Sequence, residues 1–205
     1  MADYFIPIEP DCTYHIFCRA NAFDKLYLND ENYLFFLERF KSHISGVSET
    51  FAFNLLPNHY HFIIRARSLI DIESEFRKVK NNQPFIIENA SSFIMERFSN
   101  LSNSYTKAFN KRFNRKGSLF LPLKRVKIET DSDLASEIFY VHKNAVHHGY
   151  VDSIDEWKWS SYKSLLSNKP TSLLRNEIMD FFGGRESFIK FHQQTIYPKD
   201  RSNEP

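Results

Sequence analysis

Pro57-Asn58-His59-Tyr60-His61-Phe62-Ile63-Ile64-Arg65 follows directly on the apolar run Phe51-Ala52-Phe53-Asn54-Leu55-Leu56. Two apolar runs joined at Pro57-Asn58 predict a pair of antiparallel strands, with Asn58 supplying turn chemistry. Alternate side chains of a strand share a face, so Tyr60, Phe62 and Ile64 form a core-facing set while His59, His61, Ile63 and Arg65 point the other way. The two histidines are then displayed together, close enough to chelate one cation through imidazole nitrogens. Such a pair is also compatible with a surface or core-capping role. Two ligands do not hold a catalytic metal, so a metal site here needs a third from elsewhere in the chain.

Working outward, Thr13-Tyr14-His15-Ile16-Phe17-Cys18-Arg19 is β-branched and aromatic enough to be a strand. Its His15 can face the same side as the histidine pair, where it reads as structural. Asn29-Asp30 caps a helix through ENYLFFLERFKSHI, with Tyr33, Phe36, Leu37, Phe40, His43 and Ile44 at helical spacing. Helix-prone sequence follows from Ile70 to about Lys80 and again from Pro84 to Asn114, ending in the loop Arg115-Lys116-Gly117-Ser118. Val126-Lys127-Ile128 is a short strand candidate, and Thr130-Asp131-Ser132-Asp133 starts a helix to about His148 that Gly149 closes. The order strand, helix, strand, strand, helix, strand, helix describes an α+β domain with helices packed on one face of an antiparallel sheet.

The 205 residues suffice for one domain with decoration, and the 21 Phe and 10 Tyr argue against disorder of the bulk. Cys12 and Cys18 make neither a disulfide framework nor a zinc pattern, so a reduced setting is expected. Neither a signal peptide nor a membrane span is legible, which predicts a soluble cytoplasmic protein without a membrane partner. Charge is uneven. From Tyr105 to Lys127 there are eight Lys or Arg and no Asp or Glu, interleaved with Tyr105, Phe109, Phe113 and Phe120. Basic side chains neutralise phosphates and aromatic faces stack on unpaired bases, so the composition suits a nucleic-acid contact surface as well as a solvated basic helix. Tyr105 and Phe113 are stacking candidates for which core packing is the plainer role.

On the helix from Asp133, Leu134, Ile138, Val141 and Ala145 follow the spacing of a buried stripe. Glu137, Tyr140, Asn144 and His148 share the other side. Tyr140 and Asn144 are four residues apart, one above the other, and present a hydroxyl nucleophile with an amide oxygen that can ligate a hard cation. The plain alternative makes Tyr140 a rim residue and Asn144 part of the helix end. His142, nearer the apolar face, reads as packed.

Four pieces in order, PNHYHFII, NKRFNRKGSLF followed by KR, YVHKNAVHHGYV and EWKWSSY, resemble the ordered motifs of the single-tyrosine HUH transposases, and within them the REP-associated tyrosine transposases. The similarity spans about Tyr14 to about His192. It implies a ferredoxin-like catalytic domain over 1–150, with a helical, basic insertion at about 84–125. A C-terminal extension over 151–205 would pack on that domain, held by Trp157 and Trp159, with its last residues disordered. Ala145 stands where the family usually has proline, and Leu121-Pro122-Leu123-Lys124 replaces a Gln-Gly-Arg-Phe-Lys-like stretch, a departure that bears on DNA preference more than on chemistry.

The resemblance further implies that His59, His61 and Asn144 hold Mg2+ or Mn2+ and that Tyr140 attacks the scissile phosphate to form a 5′-phosphotyrosine. The substrate would be single-stranded or hairpin DNA. Lys107, Lys111, Arg112, Arg115, Lys116, Lys124 and Arg125 are the expected DNA contacts. No small-molecule cofactor is expected, and the chain would act as a monomer or homodimer. The alternative is a descendant that binds hairpin DNA or RNA without cleaving it.

Overall fold

The computed structural model describes residues 4–22, 24–81 and 83–194. The expected disorder of the last residues lies outside them. The apolar runs on either side of Pro57-Asn58 are strands β2 (Ser48–Leu56) and β3 (His59–Ala66), paired antiparallel. With β1 (Thr13–Arg19) and β4 (Lys124–Ile128) they form one sheet of order β2-β3-β1-β4, antiparallel throughout. β1 and β3 lie at the centre, which is the ferredoxin-like strand order.

Alternation sorts the strands as expected. Tyr14, Ile16, Tyr60, Phe62 and Ile64 join one core with Phe36 and Phe40 of α1 (Asp30–Ile44) and with Phe98, Leu101 and Tyr105 of α3 (Ala90–Arg112). The shorter α2 (Leu69–Val79) contributes Ile72. Asn29 caps α1 by accepting from the Asn32 backbone N–H at 3.1 Å.

The helices do not all lie on one face. α4 (Asp131–His147) crosses the opposite side of β2 and β3 and buries Ile138 and Val141 against Phe51, Ala52, Ile63 and Ile128. A register shift between Thr50 and Ala52 bulges β2 and turns both Phe51 and Ala52 to this side. The second face thus carries its own apolar patch, which needs a cover. Residues 151–194 thicken that cover with α5 (Tyr162–Leu166), α6 (Arg175–Phe181) and α7 (Arg185–His192), whose Tyr162, Leu165, Ile178 and Phe188 join the same cluster.

The same extension shields the outer edge of β2. The Leu55 N–H donates to Trp159 O at 3.0 Å and the Ser161 N–H to Phe53 O at 2.9 Å, removing an open sheet edge. Trp157 Nε1 donates to Leu55 O at 3.1 Å, and Trp159 stacks on Tyr33 with ring centroids 4.3 Å apart.

Candidate metal and tyrosine centre

α4 is placed by both its ends and its middle. Thr130 accepts from the Asp133 N–H at 3.1 Å, and the C-terminus closes with Gly149 N–H on Val146 O and Tyr150 N–H on Ala145 O, each at 2.9 Å. This pair of bonds needs a left-handed residue after the helix, and Gly149 has φ 70°. Midway, Asn54 Nδ2 of β2 donates to Val141 O at 2.8 Å. Behind α4 a buried chain runs from the Ser161 hydroxyl to His142 (2.8 Å), from His142 to His192 (2.9 Å) and from His192 Nδ1–H to Phe188 O (2.8 Å). His142 is therefore packed and hydrogen-bonded away from the sheet. Burial pushes it well below its ordinary pKa, and His192 down to about 4.

The face of α4 turned to the sheet brings Tyr140 and Asn144 onto the histidines of β3 in the same chain. His59 Nε2 lies 3.0 Å from Asn144 Oδ1, and the Tyr140 ring stands edge-on to His61 with centroids 5.6 Å apart. His148, at the helix end, packs on His59 at 4.9 Å. The group is almost closed to solvent: His61 and Asn144 are fully buried and Tyr140 is 8% exposed.

Burial pushes His59 down to about 4, so its imidazole is neutral near pH 7 and carries one N–H. That ring faces two amide oxygens, Asn58 Oδ1 at 2.8 Å from Nδ1 and Asn144 Oδ1 at 3.0 Å from Nε2. It can donate to only one of them. With the proton on Nδ1, toward the nearer oxygen, Nε2 and Asn144 Oδ1 meet lone pair to lone pair. Rotation of the Asn144 amide would relieve this contact, and so would a cation shared between the two atoms. Asn144 Nδ2 is itself buried without a hydrogen-bond partner among the described residues. Two imidazoles and an amide oxygen fit Mn2+ and also Mg2+, which favours oxygen more strongly. Among the described residues no group of three or more His, Cys, Asp or Glu forms a metal cluster.

Behind the pair, His15 Nε2 lies 2.8 Å from His61 Nδ1, and His15 Nδ1 lies 2.9 Å from Glu137 Oε2. Both residues were visible in the sequence, His15 as a possible neighbour and Glu137 on the Tyr140 side of its helix. Their contact was not, because it depends on how β1 lies beside β3.

The basic candidates do not converge. Lys124 comes nearest, its ammonium 5.0 Å from the Tyr4 ring and 5.9 Å from that of Phe17, which in turn stacks on His61. Lys107, Lys111 and Lys116 are exposed on α3 and the loop after it. Arg112 pairs with Glu31 at 2.6 Å, and Arg115 pairs with Asp24 while donating to Ser118 O at 2.8 Å. Arg125 is buried and donates to Phe5 O at 2.7 Å and to Ile6 O. Tyr105 is buried too, its hydroxyl donating to Leu26 O at 2.5 Å, so it belongs to the core.

An antiparallel sheet of ferredoxin-like order thus carries paired histidines on a central strand beneath a helix bearing tyrosine and asparagine. No protein-family model matches the chain. Over 117 residues it is 26% identical to a Haemophilus influenzae protein named for the REP-associated tyrosine transposases, a match that takes in 56% of this chain and 58% of that relative. Its fold is similar to a solved structure described as a REP-associated tyrosine transposase bound to a REP hairpin, with a TM-score of 0.60 at 16% identity over 84% of this chain and 90% of that one. The resemblance to the REP-associated tyrosine transposases therefore extends beyond the motifs to sequence and fold. No helix among the described residues is long and apolar enough to cross a membrane.

Proposed function

We propose that the chain nicks and rejoins single-stranded DNA at hairpin sites through a covalent bond to Tyr140, with a divalent cation held by His59, His61 and Asn144. The observation that carries this reading is the convergence of His59 Nε2 and Asn144 Oδ1, 3.0 Å apart, beside the Tyr140 ring. The relatives named for tyrosine transposition, and the hairpin in the similar structure, support the choice of substrate.

When bound, the cation supplies Lewis-acid polarisation of the scissile phosphate and compensates charge on the departing oxygen. Tyr140 Oη forms the new bond to phosphorus as the bond to the 3′-oxygen breaks. The phenol proton is released, and the 3′-oxygen leaves as a hydroxyl after taking up a proton. α4 positions the nucleophile by holding Tyr140 one turn from Asn144, so attacking group and ligand move as one rigid element. Enclosure by the sheet and by residues 151–194 limits competing attack by water. Lys107, Lys111, Lys116, Lys124 and the exposed Arg112 are the candidates to meet DNA phosphates, whereas Arg115 and Arg125 are engaged within the fold.

The test uses oligonucleotides of hairpin-forming palindromic sequence, taken from the DNA flanking the gene where it holds such repeats, labelled 3′ of the candidate cleavage site, with Mn2+ or Mg2+. A labelled band that survives SDS, is lost on proteolysis, and is absent with Tyr140→Phe or EDTA is the expected result. Tight hairpin binding without adduct or nick under any divalent cation would instead establish a non-cleaving binder. The near-enclosure of Tyr140, 8% exposed, is what favours that second reading.

A further inference from the structure

His15 and Glu137 are buried or nearly so beside the histidine pair, yet neither is needed to complete the ligand set. Their geometry fixes where protons sit. Glu137 Oε2 can only accept, so the contact of 2.9 Å with His15 Nδ1 makes that nitrogen the donor. An imidazole with a single proton, given to Glu137, presents a lone pair at Nε2, and the 2.8 Å contact with His61 Nδ1 is then made by His61 donating from Nδ1. A His61 ring with its one proton on Nδ1 keeps its lone pair on Nε2. Asn58 Oδ1, 2.8 Å from His59 Nδ1, offers that ring an acceptor of the same kind. The relay thus favours one tautomer of His61, with its Nδ1 proton taken by an acceptor outside the pair and Nε2 left as a potential ligand, and His59 has the same tautomer open to it.

We propose that His15, oriented by Glu137, is a positioning residue that locks His61 in the Nδ1–H tautomer and so prepares its Nε2 to ligate a divalent cation. This rests on the reading of His59, His61 and Asn144 as a metal site. It gives α4 a third function: Glu137 lies three residues before Tyr140 and seven before Asn144, so one helix carries the nucleophile, a ligand and the anchor of the relay. Outer partners of ligating histidines commonly change metal affinity by about 10–100-fold when removed.

The experiment measures the metal-free protein and its Mn2+ affinity, without reference to turnover. In wild type, 15N NMR of the imidazoles is expected to show His61 protonated at Nδ1 and bare at Nε2. His15→Phe, which removes the acceptor, is expected to weaken Mn2+ binding by about 10–100-fold. His15→Gln, which keeps an acceptor for His61 Nδ1–H, is expected to stay within a few-fold of wild type. Should His15→Phe fail to fold, Glu137→Leu serves in its place: the side chain is 17% exposed, and its loss frees His15 to put a proton on Nε2 and reverse the tautomer of His61. A wild-type His61 protonated at Nε2, or a folded His15→Phe or Glu137→Leu variant with wild-type Mn2+ affinity, would overturn the proposal. Wild type that binds no Mn2+ yet shows the expected tautomer would sink the metal reading and leave the relay standing.

Discussion

The two faces of the sheet come from alternate residues of the same strands, yet they are built on different physics. On one side Phe62 of β3 stacks on Phe40 with ring centroids 3.9 Å apart, and Phe36 contacts Tyr60 at 5.1 Å. That core is dense, aromatic and fed by three helices. On the other side His59 and His61 leave the same strand toward a helix that meets them with polar groups. There the interior holds the imidazole of His59, which burial keeps neutral, and it buries Asn144 Nδ2 and Asn54 Oδ1 without hydrogen-bond partners among the described residues. Each such group costs about 1–3 kcal/mol. The first face can offset costs that the second incurs in order to keep its ligands oriented.

That contrast can be broken or sharpened. The largest effect is expected from Tyr140→Phe, which should lower cleavage by about a thousandfold or more while leaving thermal stability nearly unchanged, since only a hydroxyl is lost. A large fall in melting temperature would show that the second face also carries the fold. Phe62→Ala should do the converse. It is expected to cost about 3–5 kcal/mol in urea denaturation while the folded fraction binds Mn2+ as wild type does.

A smaller effect should come from the histidine behind α4. Burial lowers His192 from its ordinary 6.5 to about 4. Above pH 6.5 neither the folded nor the unfolded chain protonates it, and its full contribution is present. As pH falls from 6.5 toward 4 the unfolded chain takes up the proton first, so stability should decline by about 3 kcal/mol over that window. His192→Leu should remove this share of the acid dependence, read from denaturation curves at several pH values. An unchanged slope would mean that His192 is not held neutral.

Much of this arrangement was legible in the sequence because it follows local periodicities. Alternation along β3 separates Tyr60, Phe62 and Ile64 from His59 and His61, and helical spacing groups Glu137, Tyr140, Asn144 and His148 on one side of α4. Thr130 and Gly149 mark the ends of that helix by capping chemistry. What was not legible depends on contacts distant in sequence. The stripe of Leu134, Ile138, Val141 and Ala145 says that α4 is buried but not against which face of the sheet. The Thr50–Ala52 bulge, which turns both Phe51 and Ala52 toward α4, leaves no local mark. His15 reaches His61 only through the pairing of β1 with β3. Within the basic segment, composition cannot reveal that Arg125 donates to backbone carbonyls, or that Arg112 and Arg115 have carboxylate partners.

The most direct test of the account is to find which residue carries the DNA. The adduct formed on a hairpin oligonucleotide with Mn2+ would be digested with trypsin and nuclease and sequenced by tandem mass spectrometry. The nucleotide is expected on the peptide of residues 128–143, whose single tyrosine is Tyr140. A nucleotide attached to any other residue, or cleavage that proceeds with no adduct, would contradict it.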